Sequence, residues 1–406
     1  MAEANLKKDL IFPPQFFWGC ATSAHQIEGG LTNDWTEWEK SPRRLADLKK
    51  KQLDSQDFIS DLAANSYIEN NADIHCLKEL NANAYRFSLD WSRIEPEEGK
   101  FNLEALEYYK DLLKKLRANQ IEPFVTLWHW PIPLWLKDKG GFENKLAADY
   151  FKKFVEKAAA YLNEEVNFWI TLNEPMVYTS QSYLAGEWPP QKKNPFVLWR
   201  VINNLARAHK CAYEVLKAID ADNKVGIAKN NMYFEAANGA FINKILKSLA
   251  DWWWNSRFLN KIKGSQDFIG LNYYFHNFVN YGFGQPFSYE KKSDLEWGLH
   301  PEGICYLLKD LKKYKLPIYI TENGLADSGD QHRSWYIQEI LKNVHRAINE
   351  GSNVKGYFHW SLIDNFEWSH GFKPRFGLYE VNYQNFERIA RPSAKFYADI
   401  CKNNKI

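Results

Sequence analysis

A chain of 406 residues, 45% hydrophobic and 16% aromatic, can bury a large core, either as one large domain or as two or three smaller ones. Its 52 basic residues nearly cancel 50 acidic ones, and a net charge of +2 excludes the strongly basic surface that nucleic acid or an anionic membrane requires, leaving a neutral small molecule as the expected partner. Cys20, Cys76, Cys211, Cys305 and Cys401 are widely spaced with no C-x-x-C, the opening "MAEANLKKDLIFPP" has no apolar signal core, and no run approaches the roughly 18 apolar residues of a membrane span, so a reducing, cytoplasmic setting without disulfides is expected.

In chain order, short apolar runs alternate with longer amphipathic stretches. The strand-like runs are "FFWGCATS" at 16–23, "AYRFSLDW" at 84–91, "PFVTLWHW" at 123–130, "NFWITLNE" at 167–174, "KVGIAKN" at 224–230, "DFIGLNYY" at 267–274, "PIYITEN" at 317–323 and "VKGYFHW" at 354–360. Between them lie helical patterns such as "LEALEYYKDLLKKLRAN" and "YIQEILKNVHRAINEG", the latter ending on a glycine suited to a helix C-cap. Eight strand-helix units without a Pro/Ser-rich linker predict an α/β fold, a single (β/α)8 TIM barrel over 1–406 with 1–11 as a loosely held extension. The basic runs "RRLADLKKK" and "KDLKKYK" read as solvated faces.

Two of these strands end on a carboxylate. "NFWITLNEP" closes at Glu174, where Pro175 biases the preceding residue toward extended backbone and can open a helix, and "PIYITENG" closes at Glu322, where Asn323-Gly324 favours a turn. In a barrel of this kind chemistry sits at the carboxyl ends of the strands, and strands four and seven are three apart around the ring, so both side chains can reach one central pocket from different sides. A pair of carboxylates flanking one pocket is what glycoside hydrolysis demands, one to protonate the leaving oxygen and the other to attack the sugar carbon or direct water at it. Trp128, Trp130, Tyr273, Tyr274 and Trp360 supply strand-end aromatics on which the C–H faces of a sugar can stack.

Seven stretches in order, "FFWGCATSAHQIEG", "YRFSLDWSRIEP", "VTLWHWPIPLWL", "TLNEP", "DFIGLNYY", "YITENG" and "VKGYFHWSLIDNFEWSHGFKPRFGL", resemble the family 1 glycoside hydrolases, the β-glucosidase and β-galactosidase family, over about residues 12–400. "HWPIPLWL" and the tail "RPSAKFYADI" are most similar to its archaeal-type branch. The resemblance implies a retaining, exo-acting β-glycosidase acting on a β-glycoside or oligosaccharide through a covalent glycosyl-enzyme. A β-glucosidase is the first expectation, with β-galactosidase or β-fucosidase activity beside it. No cofactor and no metal are implied. Carried over residue by residue, Glu322 matches the nucleophile and Glu174 the acid/base, while Arg86 and Tyr274 match the pair that contacts the nucleophile. Gln26, His129, Asn173, Glu367 and Trp368 match the residues that hold the hydroxyls of the non-reducing sugar, Trp360 its stacking floor, and Asn272 a further polar contact, with Trp130 and Phe376 also assigned to substrate binding.

Two departures from the family pattern stand out. His25 replaces an aromatic common in "SAYQ", and the chain is short at 231–266, where members often carry a longer excursion, which bears on the aglycone side. "ADWWWNSRF" is a candidate to cover that gap, and since three adjacent tryptophans cannot share one helical face, at least one is expected to be partly exposed. Three other functions stand beside this reading. A metal-dependent hydrolase lacks H-E-x-x-H or paired strand-end histidines, a non-catalytic sugar binder is at odds with the complete Glu174, Glu322, Arg86 and Tyr274 set, and a mainly transglycosylating enzyme uses the same residues.

Overall fold

The computed structural model describes residues 9–284 and 287–406. The eight expected strands are present as β1 (Phe17–Ala21), β2 (Ala84–Ser88), β3 (Glu122–Trp128), β4 (Phe168–Asn173), β5 (Lys224–Ala236), β6 (Phe268–Val279), β7 (Ile318–Asn323) and β8 (Val354–Trp360). They pair in sequence order, all parallel, and β8 returns to β1 to close the barrel. Closure leaves the barrel itself without a free edge, and each crossover includes a helix that buries one face against the strands. In helix Leu103–Ala118, for example, Leu106, Tyr109, Leu113 and Leu116 lie inward at helical spacing, and the Asn102 side chain caps the first turn by accepting from the N–H groups of Glu104 and Ala105. Helix Arg333–Asn349 ends as its sequence predicts, with Gly351 at φ +88° just beyond it.

The barrel interior is divided along its axis. Its lower half is a plug of rings from Phe17, Phe124, Phe168, Phe268, Tyr319 and Phe358, of which Phe124 and Phe168 stack at 4.2 Å between centroids. Rings of this size fit because neighbouring strands supply glycine opposite them: a Cβ on Gly19 would fall 2.8 Å from the Phe358 ring, and one on Gly226 2.5 Å from Phe268. The upper half, at the carboxyl ends of the strands, is polar.

Two strands differ from expectation. β5 and β6 run past residues 230 and 274 and leave the barrel as a two-stranded ribbon, paired from Tyr233↔His276 to Ala236↔Val279 after a register shift. The chain ends also meet: Leu10 exchanges backbone hydrogen bonds with Ile406, and Phe12 N–H donates to Asn404 O, so residues 10 and 11 are tied down while 1–8 of the expected loose extension lie outside the described residues. Among the described residues no helix is long and apolar enough to cross a membrane.

Gly324 corrects the expected turn after Asn323. Its φ is not positive; glycine is required because a Cβ there would lie 1.7 Å from the carbonyl oxygen of Trp360. Gly324→Ala should therefore destabilise the fold by about 3 kcal/mol or more, read as a lower denaturant midpoint at unchanged slope, since backbone must move to admit the methyl group.

Candidate active site

Strand pleat decides which residues at the barrel mouth face inward. On β6, Asn272 and Tyr274 point into the barrel while Tyr273 between them points out, its hydroxyl donating to His300 O at 2.6 Å. On β3, Trp128 likewise packs outward against Phe142 and Tyr178, whereas His129 and Trp130 beyond it turn to the mouth. Trp128 and Tyr273 are thus outer-core residues, not the stacking platforms their strand-end position suggested. The inward set lines a cleft of about 370 Å³ that opens to solvent, walled by His129, Trp130, Glu174, Tyr274, Glu322, Trp360, Glu367, Trp368 and Phe376 among others.

Beneath the cleft sits Arg86, fully buried on β2. Its guanidinium donates to Glu322 Oε1 at 2.5 Å, to Thr321 O at 3.1 Å, to Thr126 Oγ1 at 3.1 Å and to Asn173 Oδ1 at 2.7 Å. Tyr274 donates its hydroxyl to the other oxygen of Glu322 at 3.0 Å. Both oxygens of Glu322 are therefore fixed. Asn272, the register partner of Glu322 on the next strand, is oriented by Thr321 Oγ1 at 2.7 Å and donates to Glu174 Oε1 at 2.8 Å.

Glu174 does not take the extended backbone expected before Pro175. It sits at φ 43°, ψ 56°, in the left-handed region, with Pro175 opening helix Pro175–Ser180 directly after it. The chain reaches this turn because the Glu174 N–H still continues the β4–β5 ladder, donating to Ala228 O at 2.8 Å, while the helix must begin one residue later. A non-glycine residue held there costs on the order of 1 kcal/mol or more, and the turn aims its carboxyl at Glu322.

Charge follows from burial. The Glu174 carboxyl is pushed up to about 8, first by desolvation and then by the nearby Glu322, against smaller opposing pulls from Asn272, Asn230 and Arg86. The Glu322 carboxyl is raised as well, first by desolvation, with Arg86, Tyr274 and Asn272 pulling against that rise. Glu367 is pushed up to about 8 by burial and then by Glu322. His129 is held neutral, its pKa far below the ordinary value through burial and the nearby Arg86. Because Asn173 Nδ2 can only donate to His129 Nε2, at 3.0 Å, the proton of His129 lies on Nδ1, which is buried and has no partner among the described residues.

The other expected residues fall into two groups. Trp360, Trp368, Glu367, Trp130 and Phe376 reach the cleft directly. Gln26, Asn173, Asn272 and Arg86 lie below it, fully enclosed; Gln26 donates to Asn365 Oδ1 and Phe366 O, both at 2.9 Å, and to Glu367 at 3.3 Å, so it acts on the cleft through Glu367. His25 sits behind Trp368, stacked on it at 5.3 Å and 8°, and bonded to the buried Glu39 at 2.9 Å. Several wall residues went unread in the sequence: Asn230, Met232, Phe275, Trp188 and Trp297. Of these, Asn230 was legible as the polar end of the fifth strand. Trp254 of the tryptophan triplet does reach the cleft, donating to Asn230 Oδ1 at 3.2 Å, while Trp252 is 50% exposed.

A polar floor, a buried cation under one of two adjacent carboxyls and a rim of indoles form a site for a neutral polyhydroxylated ligand. The model of the family described as Glycosyl hydrolase family 1 matches residues 8–259 and 253–406. The chain belongs to that family. It is 34% identical to a 1,4-beta-D-glucan glucohydrolase of Thermotoga neapolitana over 97% of this chain and 98% of the relative, and 30% identical to a beta-galactosidase of Pyrococcus woesei over 98% of each. The structure of a beta-glycosidase from Pyrococcus horikoshii superposes with a TM-score of 0.91 at 38% identity, covering 98% of this chain and 96% of that one. This family 1 enzyme is a glycoside hydrolase, a β-glycosidase.

The raised carboxyls make stability depend on pH. Glu174 and Glu367 stay protonated to about pH 8 in the folded chain but ionise near the ordinary value of 4.5 when unfolded. Folding thus takes up protons between those limits, and stability present below pH 4.5 is lost as pH rises toward 8. Glu174→Gln and Glu367→Gln, which stay neutral, should each raise Tm over the parent by a few degrees at pH 8 and by little at pH 4.5, measured by thermal unfolding at both values.

Proposed function

We propose that the enzyme is a retaining, exo-acting β-glycosidase in which Glu322 is the nucleophile and Glu174 the acid/base, with residues 1–406 forming one domain. The observation that carries this reading is the asymmetry of the carboxyl pair: Glu322 has a buried guanidinium at 2.5 Å and a phenol at 3.0 Å, and Glu174 has neither. The first favours the anion that attacks the anomeric carbon, and the second favours the acid that protonates the leaving oxygen. Attack by Glu322 forms a glycosyl ester and consumes its charge. The second cause of the raised pKa of Glu174 then disappears, and the carboxylate left by proton donation can accept a proton from water, which cleaves the ester.

The sugar hydroxyls are met by His129 Nδ1–H and by Glu367, with Trp360 as the floor against which the ring stacks. A β-glucoside is the preferred substrate, with β-galactoside and β-fucoside as secondary ones, in keeping with the names of the glucohydrolase and β-galactosidase relatives. Met232, Trp188, Trp254 and Trp297 wall the outer cleft, where the aglycone lies.

Glu174→Ala should slow hydrolysis of poor leaving groups by about 10²- to 10⁴-fold while sparing the first step for dinitrophenolate, which needs no acid. Azide should restore turnover and yield a β-glycosyl azide, because an anion needs no base. Glu322→Gly should hydrolyse nothing yet transfer glycosyl from a fluoride of inverted configuration to a sugar acceptor. Equal losses on good and poor leaving groups, with no azide adduct, would contradict the assignment of Glu174.

Glu367 sets a second expectation. A carboxyl beside the ionised Glu322 cannot accommodate a further anion, so kcat/KM for a nitrophenyl glucoside should exceed that for its 6-phosphate by at least ~100-fold in a parallel assay.

A further inference from the structure

The ribbon that β5 and β6 form beyond the barrel carries a group of side chains that takes no part in the site described above. Its parallel register places Tyr233 and Glu235 of one strand on the same face as His276 of the other, and the loop leading into helix Gly303–Leu311 brings His300 onto that face. One ligating atom from each of Glu235, His276 and His300 lies within 4.8 Å of the other two. The rings of His276 and His300 stack at 4.2 Å and 29°, with Tyr233 stacked against both at 5.4 Å.

Hydrogen bonding leaves this group incomplete. The imidazole of His276 is buried, with 0% of its side chain exposed, and its Nε2 lies 3.1 Å from Glu235 Oε2 without forming a hydrogen bond among the described residues. The other nitrogen is accounted for: Tyr289 can donate its hydroxyl proton to His276 O at 3.3 Å while accepting from Nδ1–H at 3.1 Å. In that tautomer Nε2 carries a lone pair facing the Glu235 carboxylate, and in the other its N–H still lacks a hydrogen-bonded partner among the described residues. Two lone-pair groups so close call for a cation between them, and a histidine whose far N–H is held by an oriented acceptor is the usual state of a metal ligand. His300 is free to join them, because the Gly303 N–H that reaches its Nδ1 at 3.2 Å is shared with its own carbonyl oxygen at 3.3 Å and is not stranded if the ring turns.

We propose that Glu235, His276 and His300 bind one divalent transition-metal ion, with Zn²⁺ the best match to two imidazoles and a carboxylate. Such an ion holds ligand atoms at about 2.0–2.1 Å and hence roughly 3.3 Å from one another, so the present spread closes by side-chain rotation of about an ångström, leaving a fourth position for water. The ion joins β5, β6 and the loop before helix Gly303–Leu311. That loop carries Trp297, packed on Phe275 at 4.6 Å, and both rings line the outer cleft. The metal thus braces the wall built where the chain is short.

The test uses the full chain stripped with a chelator and then titrated with Zn²⁺ alone. One Zn²⁺ per chain should bind and raise Tm by several degrees at saturating metal, and Co²⁺ in its place should give the intense visible bands of a tetrahedral site. Glu235→Gln and His300→Gln, both at partly exposed positions, should fold with the Tm of the stripped parent, weaken Zn²⁺ binding by about 100-fold or more, and lose the cobalt spectrum. His75→Gln, which removes an exposed histidine paired with Glu79, should change nothing. Absence of Zn²⁺ binding by the parent, or binding unchanged in Glu235→Gln and His300→Gln, would overturn the proposal, the latter outcome placing the ion elsewhere on the chain.

Discussion

One guanidinium governs the mouth of this barrel. Arg86 is sealed from water, and a buried cation is tolerable only where opposite charge and oriented dipoles replace its hydration. Glu322 supplies the charge, and Asn173, Thr126 and the Thr321 carbonyl supply the dipoles. Because the guanidinium is bonded to Glu322 and to neither Glu174 nor Glu367, Glu322 is the carboxyl it compensates most directly, and Glu174 and Glu367 keep their protons to about pH 8. The difference in environment between the two central carboxyls is therefore a consequence of charge balance in a dry floor, not of any difference between two glutamate side chains.

The floor is rigid because it is shared between strands. Asn173 on β4 links Arg86 to His129, Asn272 on β6 links Thr321 to Glu174, and Trp130 donates its indole N–H to Asn173 O at 3.0 Å. Each bond crosses from one strand end to another, so no single loop sets the position of any reacting group. Loops and irregular helical turns instead build the outer cleft, where Gln181 and Trp254 are presented by π-helical segments.

How much of this could be read from the sequence depended on whether local pattern or distant contact decided the outcome. The eight strands were legible because each is an apolar run bounded by turn residues, and the barrel followed from their number and spacing. Glu174, Glu322 and Arg86 were legible because their motifs recur at strand ends. Alternation along "GLNYY" could also have ruled Tyr273 out of the pocket, since Asn272 and Tyr274 on the same strand already claim the inward face. What stayed hidden was set by partners far away in the chain. The left-handed turn at Glu174 depends on Ala228, the requirement for glycine at 324 depends on Trp360, and the grouping of Glu235 with His276 and His300 depends on two strands outrunning the barrel. No spacing rule applied to neighbouring residues finds such contacts.

The aromatic plug in the lower barrel has a consequence for traffic. With Phe124, Phe168, Phe268, Tyr319 and Phe358 packed ring against ring, the described residues leave no passage along the axis, so the cleft is reached from the carboxyl-end side. Whatever lodges deepest, against Trp360 and Glu322, enters first and departs last, and it cannot leave while anything still occupies the outer half. On the proposed exo-acting reading, release is ordered by geometry alone: the outer fragment goes first, and the freed inner sugar, still in its seat, competes with the next molecule at the same door.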